Sequence, residues 1–420
     1  MADFVFLFRR QFCKRFSKRF IQEQRIIAET AVSAAGMEHD ARADPLGNLR
    51  FLSRCLQHER AVEPRFGTED RVLANIDIGP DYKLIVDFIK KIKLKMDPGS
   101  KDEIDVECGY EAGCLGYSLY YQLKGCKVRC TILAPTTMLT EKGSRIKTDH
   151  RDARNIAFCL SNGGFHPVHI PTPEENAVKE YIRMRDDHRD ALKKIKQQIG
   201  ALCLRFGQCY NGSYWTGKHV TWLRELKLST MIRETLDEYL STYDDLTARI
   251  KRYDERIQEI AGQKEYNEKV RKLECFLGIK THTALSLIVE TGDFNRFVKG
   301  NIYAAYLGLA PGEHSSGEST GRLGITKAGN SHLRRLLIEA AEGICKGHIG
   351  QKSKSLVARQ KGNPGDVISY ADKANIRLRS KYYRLINHGK KRNIAVTAVA
   401  RELACFVWGM MTDHIHGKEA

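Results

Sequence analysis

The sequence predicts an α/β domain followed by predominantly helical regions. Between about residue 70 and residue 173, segments with strand alternation are interleaved with amphipathic helical segments. From residue 174 onward the apolar residues recur mainly at helical spacing. A length of 420 residues favours two or three domains. We predict a poorly specified basic extension at 1–60, an α/β domain at 61–173, a coiled-coil helical linker at 174–265 and a mostly helical domain at 266–420.

The strand segments of the α/β domain favour a mostly parallel sheet. Arg71–Ile78 alternates as a strand does, and Pro80 opens a helix behind it. Asp105–Cys108 and Val128–Leu133 are the next strand segments, and a helix through Ala157 follows them. Because strands alternating with helices are typical of parallel sheets, we expect that arrangement here. The apolar face of the first helix consists of Leu84, Ile85, Phe88, Ile89 and Ile92.

Two long helices are predicted after the α/β domain, at Glu174–Phe206 and Thr230–Ala261. The second carries apolar residues in steps of three and four over more than three heptads, which is typical of a coiled-coil seam. We expect the two helices to pair, either within the chain or between subunits. Packing of both helices on a domain core is the alternative. The seam residues are Leu236, Tyr239, Tyr243, Leu246, Ile250, Tyr253, Ile257 and Ile260.

The charge balance favours a polyanionic partner. The chain has 69 Lys and Arg against 51 Asp and Glu, a net charge of +18. Cationic side chains on phosphates release counterions, so such a surplus suits nucleic acid. Residues 351–392 hold 12 Lys or Arg and two Asp or Glu, with Tyr370, Tyr382 and Tyr383 between them. This segment is either a phosphate-binding surface or a solvated charged face.

Cysteine spacing and hydropathy favour a reducing, aqueous compartment. The 12 cysteines form no Cys-x-x-Cys pair, and several lie in apolar stretches, as Cys159 does. We therefore expect small buried thiols in a cytosol rather than disulfides or a zinc site. No continuous run of about 18 apolar residues occurs, so we expect no membrane span.

Three carboxylates stand out as candidate metal ligands. Glu111 follows the second strand segment, and Asp149 and Asp152 are three residues apart at the start of a helix. Like charges on one helix face repel each other, and Mg²⁺ would relieve that repulsion because it prefers oxygen ligands. Magnesium at such a site can polarise a phosphodiester. The alternative is an ordinary helix start, where Asp favours the helix dipole.

A glycine-punctuated segment at 307–335 holds Ser315 and Ser316, followed by cationic residues. A serine hydroxyl can attack phosphorus when its proton is removed and the phosphate charge is neutralised. Glu313 or His314 could remove the proton, or neither might act. A polar surface loop is the alternative. The candidate phosphate-binding cations are Arg322, Lys327, Arg334 and Arg335.

These segments, in this order, resemble the "DEDD" transposases of insertion-sequence family 110, in particular its 1111 branch, and more distantly the Piv-type invertases. The resemblance covers residues from about 70 to 415. It rests on Glu-Ala-Gly at 111–113, Lys-Thr-Asp-His-Arg-Asp-Ala at 147–153, Gly-Leu-Ala-Pro-Gly-Glu-His-Ser-Ser-Gly at 308–317, Ile-Thr-Lys-Ala-Gly-Asn at 325–330, Tyr-Ala-Asp-Lys at 370–373 and the Arg392–Arg401 segment.

The resemblance implies a RuvC-like (RNase H-like) first domain with four acidic residues that bind Mg²⁺. Glu111, Asp149 and Asp152 match the second, third and fourth. It also implies a serine that links covalently to DNA, matched by Ser316 with Ser315 as the fallback. The implied partners are DNA, a structured guide RNA and further copies of the chain. The implied location is the bacterial cytoplasm.

One family feature has no match in the sequence. The family's first acidic residue lies on an opening strand, and the corresponding stretch Asn48–Leu56 contains no acid. Asp77 falls in the later strand that runs into the helix after Pro80, so it is not taken as the match. Loss of one carboxylate would weaken a magnesium site. Two alternatives therefore stand beside an active recombinase: a relative that only binds nucleic acid, and a RuvC-like junction nuclease without a serine step.

Overall fold

The computed structural model describes residues 2–10, 25–32, 49–56, 70–78, 81–96, 104–139, 149–316 and 319–415. The chain divides into two compact units, Met1–Ile170 and Pro171–Ala420. The finer division into regions 1–60, 61–173, 174–265 and 266–420 stays a prediction.

A six-stranded sheet forms the first unit. Its strands follow the spatial order β4-β3-β2-β1-β5-β6. Strands β1 to β4 form an antiparallel meander, β1 is also antiparallel to β5, and only β5 and β6 are parallel. The strands are β1 (Ala2–Arg10), β2 (Arg25–Val32), β3 (Leu49–Leu56), β4 (Asp70–Ile78), β5 (Ile104–Glu111) and β6 (Arg129–Leu133).

The expectation of a mostly parallel sheet is therefore wrong. Parallel neighbours need a crossover connection, usually a helix. Such a helix lies between β5 and β6: it is α2 (Ser118–Gly125). Strands β1, β2 and β3 fall within residues 1–60, where the sequence analysis assigned no element, and they add the antiparallel half of the sheet. A RuvC-like fold for this unit stays a proposal.

Two further helices, α1 (Tyr82–Met96) and α3 (Asp149–Asn162), complete the described part of the first unit. On α1, four of the five predicted face residues are buried, whereas Leu84 is 48% exposed. On α3, Ala153, Ile156 and Leu160 pack in one apolar cluster with Leu133 of β6. A Cβ added to Gly109 of β5 would lie 2.8 Å from a methyl carbon of Leu160, so a larger residue there would require the Leu160 side chain to shift.

The second unit begins with a pair of long helices, α4 (Pro173–Arg205) and α6 (Thr230–Ala261). Thr172 caps α4: its hydroxyl accepts from the Glu175 N–H, while the Glu175 carboxylate accepts from the Thr172 N–H. The predicted ends of both helices agree with the structure to within a residue.

The two long helices pair with each other inside the chain, in antiparallel orientation. Arg185 of α4 donates two hydrogen bonds, of 2.7 and 3.2 Å, to Asp254 near the end of α6. At the other end of the pair, Ile199 and Leu202 of α4 share an apolar cluster with Leu236 and Leu240 of α6. The seam predicted for α6 is the side of the helix that is buried or half-buried, since residues between the seam positions are mostly exposed.

Helices and one hairpin make up the rest of the second unit. They pack around a continuous core that includes Phe276, Leu285, Tyr303, Leu337 and Leu403. The elements are α5 (Gly217–Glu225), α7 (Asn267–Glu274), α8 (Thr281–Thr291), α9 (Gly300–Tyr306), β7 (Pro311–Ser316), β8 (Ser319–Ile325), α10 (Ser331–Ile344), α11 (Lys354–Gln360), α12 (Gly365–Asn387) and α13 (Arg392–Met411).

Among the described helices, α13 alone is long and apolar enough to cross a membrane. The absence of a continuous apolar run had led us to expect no such helix. Its burial gives it another role. Val399, Leu403 and Val407 are fully buried in the core of the second unit. Glu402, in the middle of α13, accepts hydrogen bonds from Arg377 and Lys381 of α12. These features are typical of a core helix of a helical domain.

Candidate functional site

The acidic candidates of the first unit lie at the ends of two elements that pack together. Glu111 is the last residue of β5, and its side chain is half-buried. Its register partner on β6 is Leu133, which shares an apolar cluster with Ala153 of α3. Asp152, also half-buried, directly precedes Ala153. Asp149 is the first residue of α3, one helical turn before Asp152, and its side chain lies outside the described residues.

The three carboxylates Glu111, Asp149 and Asp152 are chemically suitable ligands for Mg²⁺. Carboxylate oxygens are the ligands that this ion prefers, and it keeps water molecules that a phosphate oxygen can replace. Among the side chains that the structure describes, no three His, Cys, Asp or Glu residues converge on one point. The side chains of Glu111 and Asp152 are among those that the structure describes. A third ligand for the ion would therefore come from Asp149 or from another residue whose side chain is outside the described ones.

Asp77, which the sequence analysis did not take as the first acidic residue, lies far from Glu111 in the sheet order. Asp77 pairs with Arg50 and lies on β4, one of the two edge strands of the described sheet. Four strand spacings separate β4 from β5, which is roughly 19 Å. The acid-free stretch Asn48–Leu56 includes β3, three spacings from β5.

The strand beside β5 is instead β1, and it carries one acidic residue, Asp3. Phe4 of β1 pairs with Tyr110 of β5, and continuing this antiparallel register by one residue would set Asp3 opposite Glu111. Sequence reasoning missed this strand. The signal was the run of aromatic and branched residues at 4–8, which is typical of a strand but was interpreted as part of a basic extension.

The two candidate serines lie at the far end of the hairpin formed by β7 and β8. Ser316 is the last residue of β7 and pairs with Ser319, while Ser315 pairs with Thr320. At the base of the hairpin, the Thr326 N–H donates to the Ala310 carbonyl at 2.9 Å, and the Lys327 N–H donates to the Gly308 carbonyl at 3.1 Å. The serines are thus carried by a short strand pair with a fixed base.

Two glycines explain why the base of the hairpin is compact. Gly308 and Gly329 have φ values of +70° and +94°, in the left-handed region that favours glycine. A Cβ on Gly308 would lie 2.2 Å from the Ala328 carbonyl oxygen, and one on Gly329 would lie 1.9 Å from the Tyr306 carbonyl oxygen. Gly308 lies in the motif at 308–317 and Gly329 in the motif at 325–330. These two motifs therefore contain the residues that allow the hairpin base to pack closely against the core.

The four cations predicted to bind phosphate have different surroundings. Lys327 is exposed and adopts a left-handed φ of 57°. Arg334 donates to the Leu307 carbonyl at 3.0 Å, next to the hairpin base. Arg335 donates to Asp186 at 2.7 Å and to Asp190 at 3.2 Å. Arg322 lies on β8, and its side chain is outside the described residues. A phosphate-binding role for all four stays a prediction, and two of them have protein partners.

Sequence reasoning missed two buried carboxylates near the hairpin base, Glu290 and Asp186. Arg183 binds Glu290 through two nitrogens, at 2.6 and 2.9 Å, and Asn330 donates to the same carboxylate at 2.9 Å. Burial would raise the pKa of Glu290, but the Arg183 guanidinium and the Asn330 amide hold it below its ordinary value. No local pattern predicts these contacts, because Arg183 and Glu290 are 107 positions apart.

Asp186 gathers four cationic or titratable groups. Arg185 and Arg335 donate to it at 3.0 and 2.7 Å, and ring nitrogens of His282 and His332 lie 3.0 and 3.7 Å from its oxygens. Burial would raise the pKa of Asp186, and these neighbours, above all His282, outweigh it and lower that pKa strongly. Burial also lowers the pKa of His332, which favours its neutral form.

The basic segment at 351–392 forms α11, α12 and the loops beside them. Part of its charge serves the fold: Arg379 is buried and donates to the carbonyls of Ile344, Lys346, His348 and Gln351, which fixes the loop after α10. Arg359 and Lys381 are half-buried and donate to the Glu274 carbonyl and to the Glu402 carboxylate. The remaining cations are exposed and leave a phosphate-binding role open, although Lys352 and Arg377 also bind carboxylates. The exposed ones are Lys352, Lys354, Lys361, Lys373, Arg377, Arg384, Lys390, Lys391 and Arg392.

Comparison with known proteins identifies the chain's family. The sequence model described as "Transposase IS116/IS110/IS902 family" matches residues 270–357, which include β7 and β8. The transposase for insertion sequence element IS1533 of Leptospira borgpetersenii is 33% identical over 343 residues, which are 80% of this chain and 96% of that protein.

Two further relatives agree. The protein y4qE of Sinorhizobium fredii, which also carries a transposase name, is 34% identical over 307 residues, or 72% of this chain and 75% of its own length. The transposase for insertion sequence element IS1111A of Coxiella burnetii is 24% identical over 374 residues, 85% of this chain and 94% of that protein. These matches place the chain among the insertion-sequence transposases. This chain is a member of the IS110 family of insertion-sequence transposases.

Proposed function

We propose that this transposase cuts and rejoins DNA with Ser316 as its nucleophile and with Mg²⁺ held by Glu111, Asp149 and Asp152. The position of Ser316 carries the proposal: it lies at the end of a hairpin whose base is fixed by backbone hydrogen bonds and by two obligatory glycines. A nucleophile must be held in position for efficient attack, and this hairpin has a fixed attachment. The acidic residues of the first unit supply the second half of the chemistry.

The serine step is a transesterification that conserves the energy of the phosphodiester bond. The Ser316 oxygen forms a bond to phosphorus as one backbone P–O bond breaks, and the departing strand oxygen takes a proton. A hydroxyl of another strand end then attacks the phosphoserine diester and restores a DNA backbone, returning the proton to serine. Glu313, exposed on β7, and His314 are the nearest candidates in sequence for proton transfer. Magnesium, when bound, supplies neutralisation of the charge on the phosphate oxygens.

The cationic residues of the second unit are proposed to hold the DNA backbone and a structured guide RNA. Lys327 is exposed at the hairpin base, and several exposed cations follow along α11 and α12. Phosphate contacts position a nucleic acid without reading its sequence. A guide RNA would supply sequence choice by base pairing, so this surface needs no base-reading motif. We also propose that the active form contains more than one copy and acts in the cytoplasm.

We propose Asp3 as the fourth carboxylate of the metal site. Residues directly opposite on antiparallel strands have their Cβ atoms about 5 Å apart, and like charges there destabilise the pair. The register that continues from Phe4 and Tyr110 would set Asp3 and Glu111 in this relation, and a bound cation would relieve it. Asp3→Asn is expected to abolish magnesium-dependent cleavage. Asp77→Asn is the matched control and is expected to leave it unchanged.

A trapping experiment tests the serine proposal. The protein is incubated with element-end DNA, Mg²⁺ and candidate RNA, and protease-sensitive protein–DNA adducts are separated on a denaturing gel. Ser316→Ala is expected to abolish the adduct, and Ser315→Ala, its neighbour on β7, to retain it. An adduct that persists in Ser316→Ala would refute the assignment of the nucleophile. Cleavage that is indifferent to Ser316→Ala would favour a junction nuclease, and salt-dependent binding without cleavage would favour a relative that only binds nucleic acid.

A further inference from the structure

The buried carboxylate Glu290 connects three separate elements of the second unit. It lies on α8 with its side chain 3% exposed. Arg183 of α4 binds both of its oxygens, and the Asn330 amide nitrogen donates to Oε2. Glu290 therefore holds one helix of the long pair and the start of α10 at the same point.

Asn330 links Glu290 to the serine hairpin, because it binds Glu290 and lies a few residues after β8. Its side-chain oxygen accepts from the Leu333 N–H at 3.1 Å and caps α10, while its amide nitrogen is left for Glu290. Asn330 also ends the turn that follows β8. The same turn contains Thr326 and Lys327, whose N–H groups bond the segment that leads into β7. One carboxylate is thus linked, within a few residues along the chain, to both strands of the hairpin, of which β7 carries Ser315 and Ser316.

A second buried carboxylate strengthens the attachment of α4. Asp186, one turn after Arg183 on α4, binds Arg335 of α10 and lies 3.0 Å from a ring nitrogen of His282 on α8. Buried ion pairs contribute little net stability, because the cost of removing charges from water offsets their attraction. An apolar core could stabilise these helices as well.

We propose that Glu290 is a positioning residue for the Ser316 step. Through Arg183 and Asn330 it fixes the base of the serine hairpin relative to α4, the helix that begins at Pro173 just after the acidic unit ends at Ile170. This inference rests on the proposed nucleophilic role of Ser316. It goes beyond that role because it assigns the placement of the nucleophile to a carboxylate that does not touch DNA.

Three variants separate positioning from general stability. Asn330→Ser keeps a capping oxygen for α10 but is too short to reach Glu290, so it removes only the connection to the hairpin. Glu290→Gln keeps the shape of the side chain and an acceptor for Asn330 but removes the charge that holds Arg183. Arg189→Met is the control, because it removes an exposed 3.1 Å ion pair with Glu339 that joins the same helices, α4 and α10.

The first readout is hydrogen exchange at the amides of Thr326 and Lys327, measured on the full chain without DNA. Loss of one net hydrogen bond is expected to accelerate exchange there about fivefold in Asn330→Ser, with no change in Arg189→Met. This measurement does not depend on activity. Equal exchange in Asn330→Ser, Arg189→Met and the unsubstituted protein would overturn the positioning role even if Ser316 is the nucleophile.

The second readout compares adduct formation with DNA binding. A displaced nucleophile loses rate on the order of 10²-fold, so Asn330→Ser and Glu290→Gln are expected to slow the adduct by about that factor. DNA affinity should stay within about twofold, since neither residue is placed on a phosphate. The double variant should be no slower than the slower single one, because both act through one link. Additive losses, or equal losses in rate and affinity, would overturn the proposal. An unsubstituted protein that forms no adduct would refute the nucleophile itself, and the exchange result would still decide the link between Glu290 and the hairpin.

Discussion

Removal of Arg183 should destabilise the second unit, and the size of the loss should depend on pH. In Arg183→Met, the buried carboxylate of Glu290 loses both guanidinium hydrogen bonds and keeps the Asn330 amide, with Lys179 and His332 as its remaining electrostatic neighbours. Removing one partner of a fully buried pair costs about 3–5 kcal/mol. The Arg183 side chain is 43% exposed, so water screens the pair, and we expect about 2–3 kcal/mol at pH 7.

The pH dependence follows from the direction of the Glu290 pKa. In the unsubstituted protein that pKa is lowered, so its stabilising contribution is present above the unfolded pKa of about 4.3 and is lost as the pH falls through the folded value. Arg183 opposes the effect of burial more than Asn330 or His332 does, so the pKa of Glu290 should rise when Arg183 is removed. The variant would then take up a proton on folding and be penalised most at neutral pH. The difference between the two proteins should therefore shrink as the pH is lowered from 7 towards 4.

Chemical unfolding at pH 7, 5.5 and 4 measures this difference directly. At pH 7 the loss corresponds to roughly 5–10 °C in Tm for a unit of this size. Arg189→Met breaks an exposed pair on the same helix and should cost less than about 1 kcal/mol at every pH. A loss in Arg183→Met that is equally small, or one that is independent of pH, would refute the claim that Arg183 neutralises Glu290.

Two further predictions concern the hairpin base and the long helix pair. Gly329→Ala forces a side chain into a left-handed position 1.9 Å from the Tyr306 carbonyl oxygen, so it should cost at least about 2 kcal/mol in thermal unfolding, whereas Gly350→Ala, also at positive φ but in open space, should cost less. Leu240→Ala removes a side chain buried between α4 and α6 and should cost about 2–5 kcal/mol, while Leu204→Ala, which is 72% exposed, should cost under about 0.5 kcal/mol.

The helices of the second unit could be predicted from the sequence because their signals are local. Helical spacing of apolar residues located α4 and α6. The same reasoning could not decide between pairing within the chain and pairing between subunits. That choice depends on contacts such as Arg185 with Asp254, which are 69 positions apart.

The sheet was predicted less well, for a physical reason. Alternation identifies a strand but does not state its neighbour, so the direction of pairing was inferred from the helices between the strands. That inference holds for β5 and β6, which α2 connects, and fails for the meander of β1 to β4. Asp3 becomes a candidate metal ligand only because β1 lies beside β5 in the sheet. No sequence-spacing rule relates residue 3 to residue 111.

The residue types in the 307–335 motif pointed to the serine segment, but they did not reveal the buried carboxylates that hold its base in place. The glycines at 308 and 329 were recognisable, and the structure shows that each one permits a close backbone approach. The buried carboxylates were invisible in the sequence because Asp186 and Glu290 lie in ordinary polar helix positions. Only the packing of α4 against α8 and α10 turns them into charged contacts.

Peptide mapping of the trapped protein–DNA adduct tests the central claim most directly. After digestion by nuclease and protease, mass spectrometry should find a nucleotide remnant attached through phosphate to Ser316, on a peptide that includes β7. The remnant should be absent when Mg²⁺ is removed with a chelator and absent in Glu111→Gln. A remnant on any other residue, or one that forms equally well without magnesium, would contradict the account.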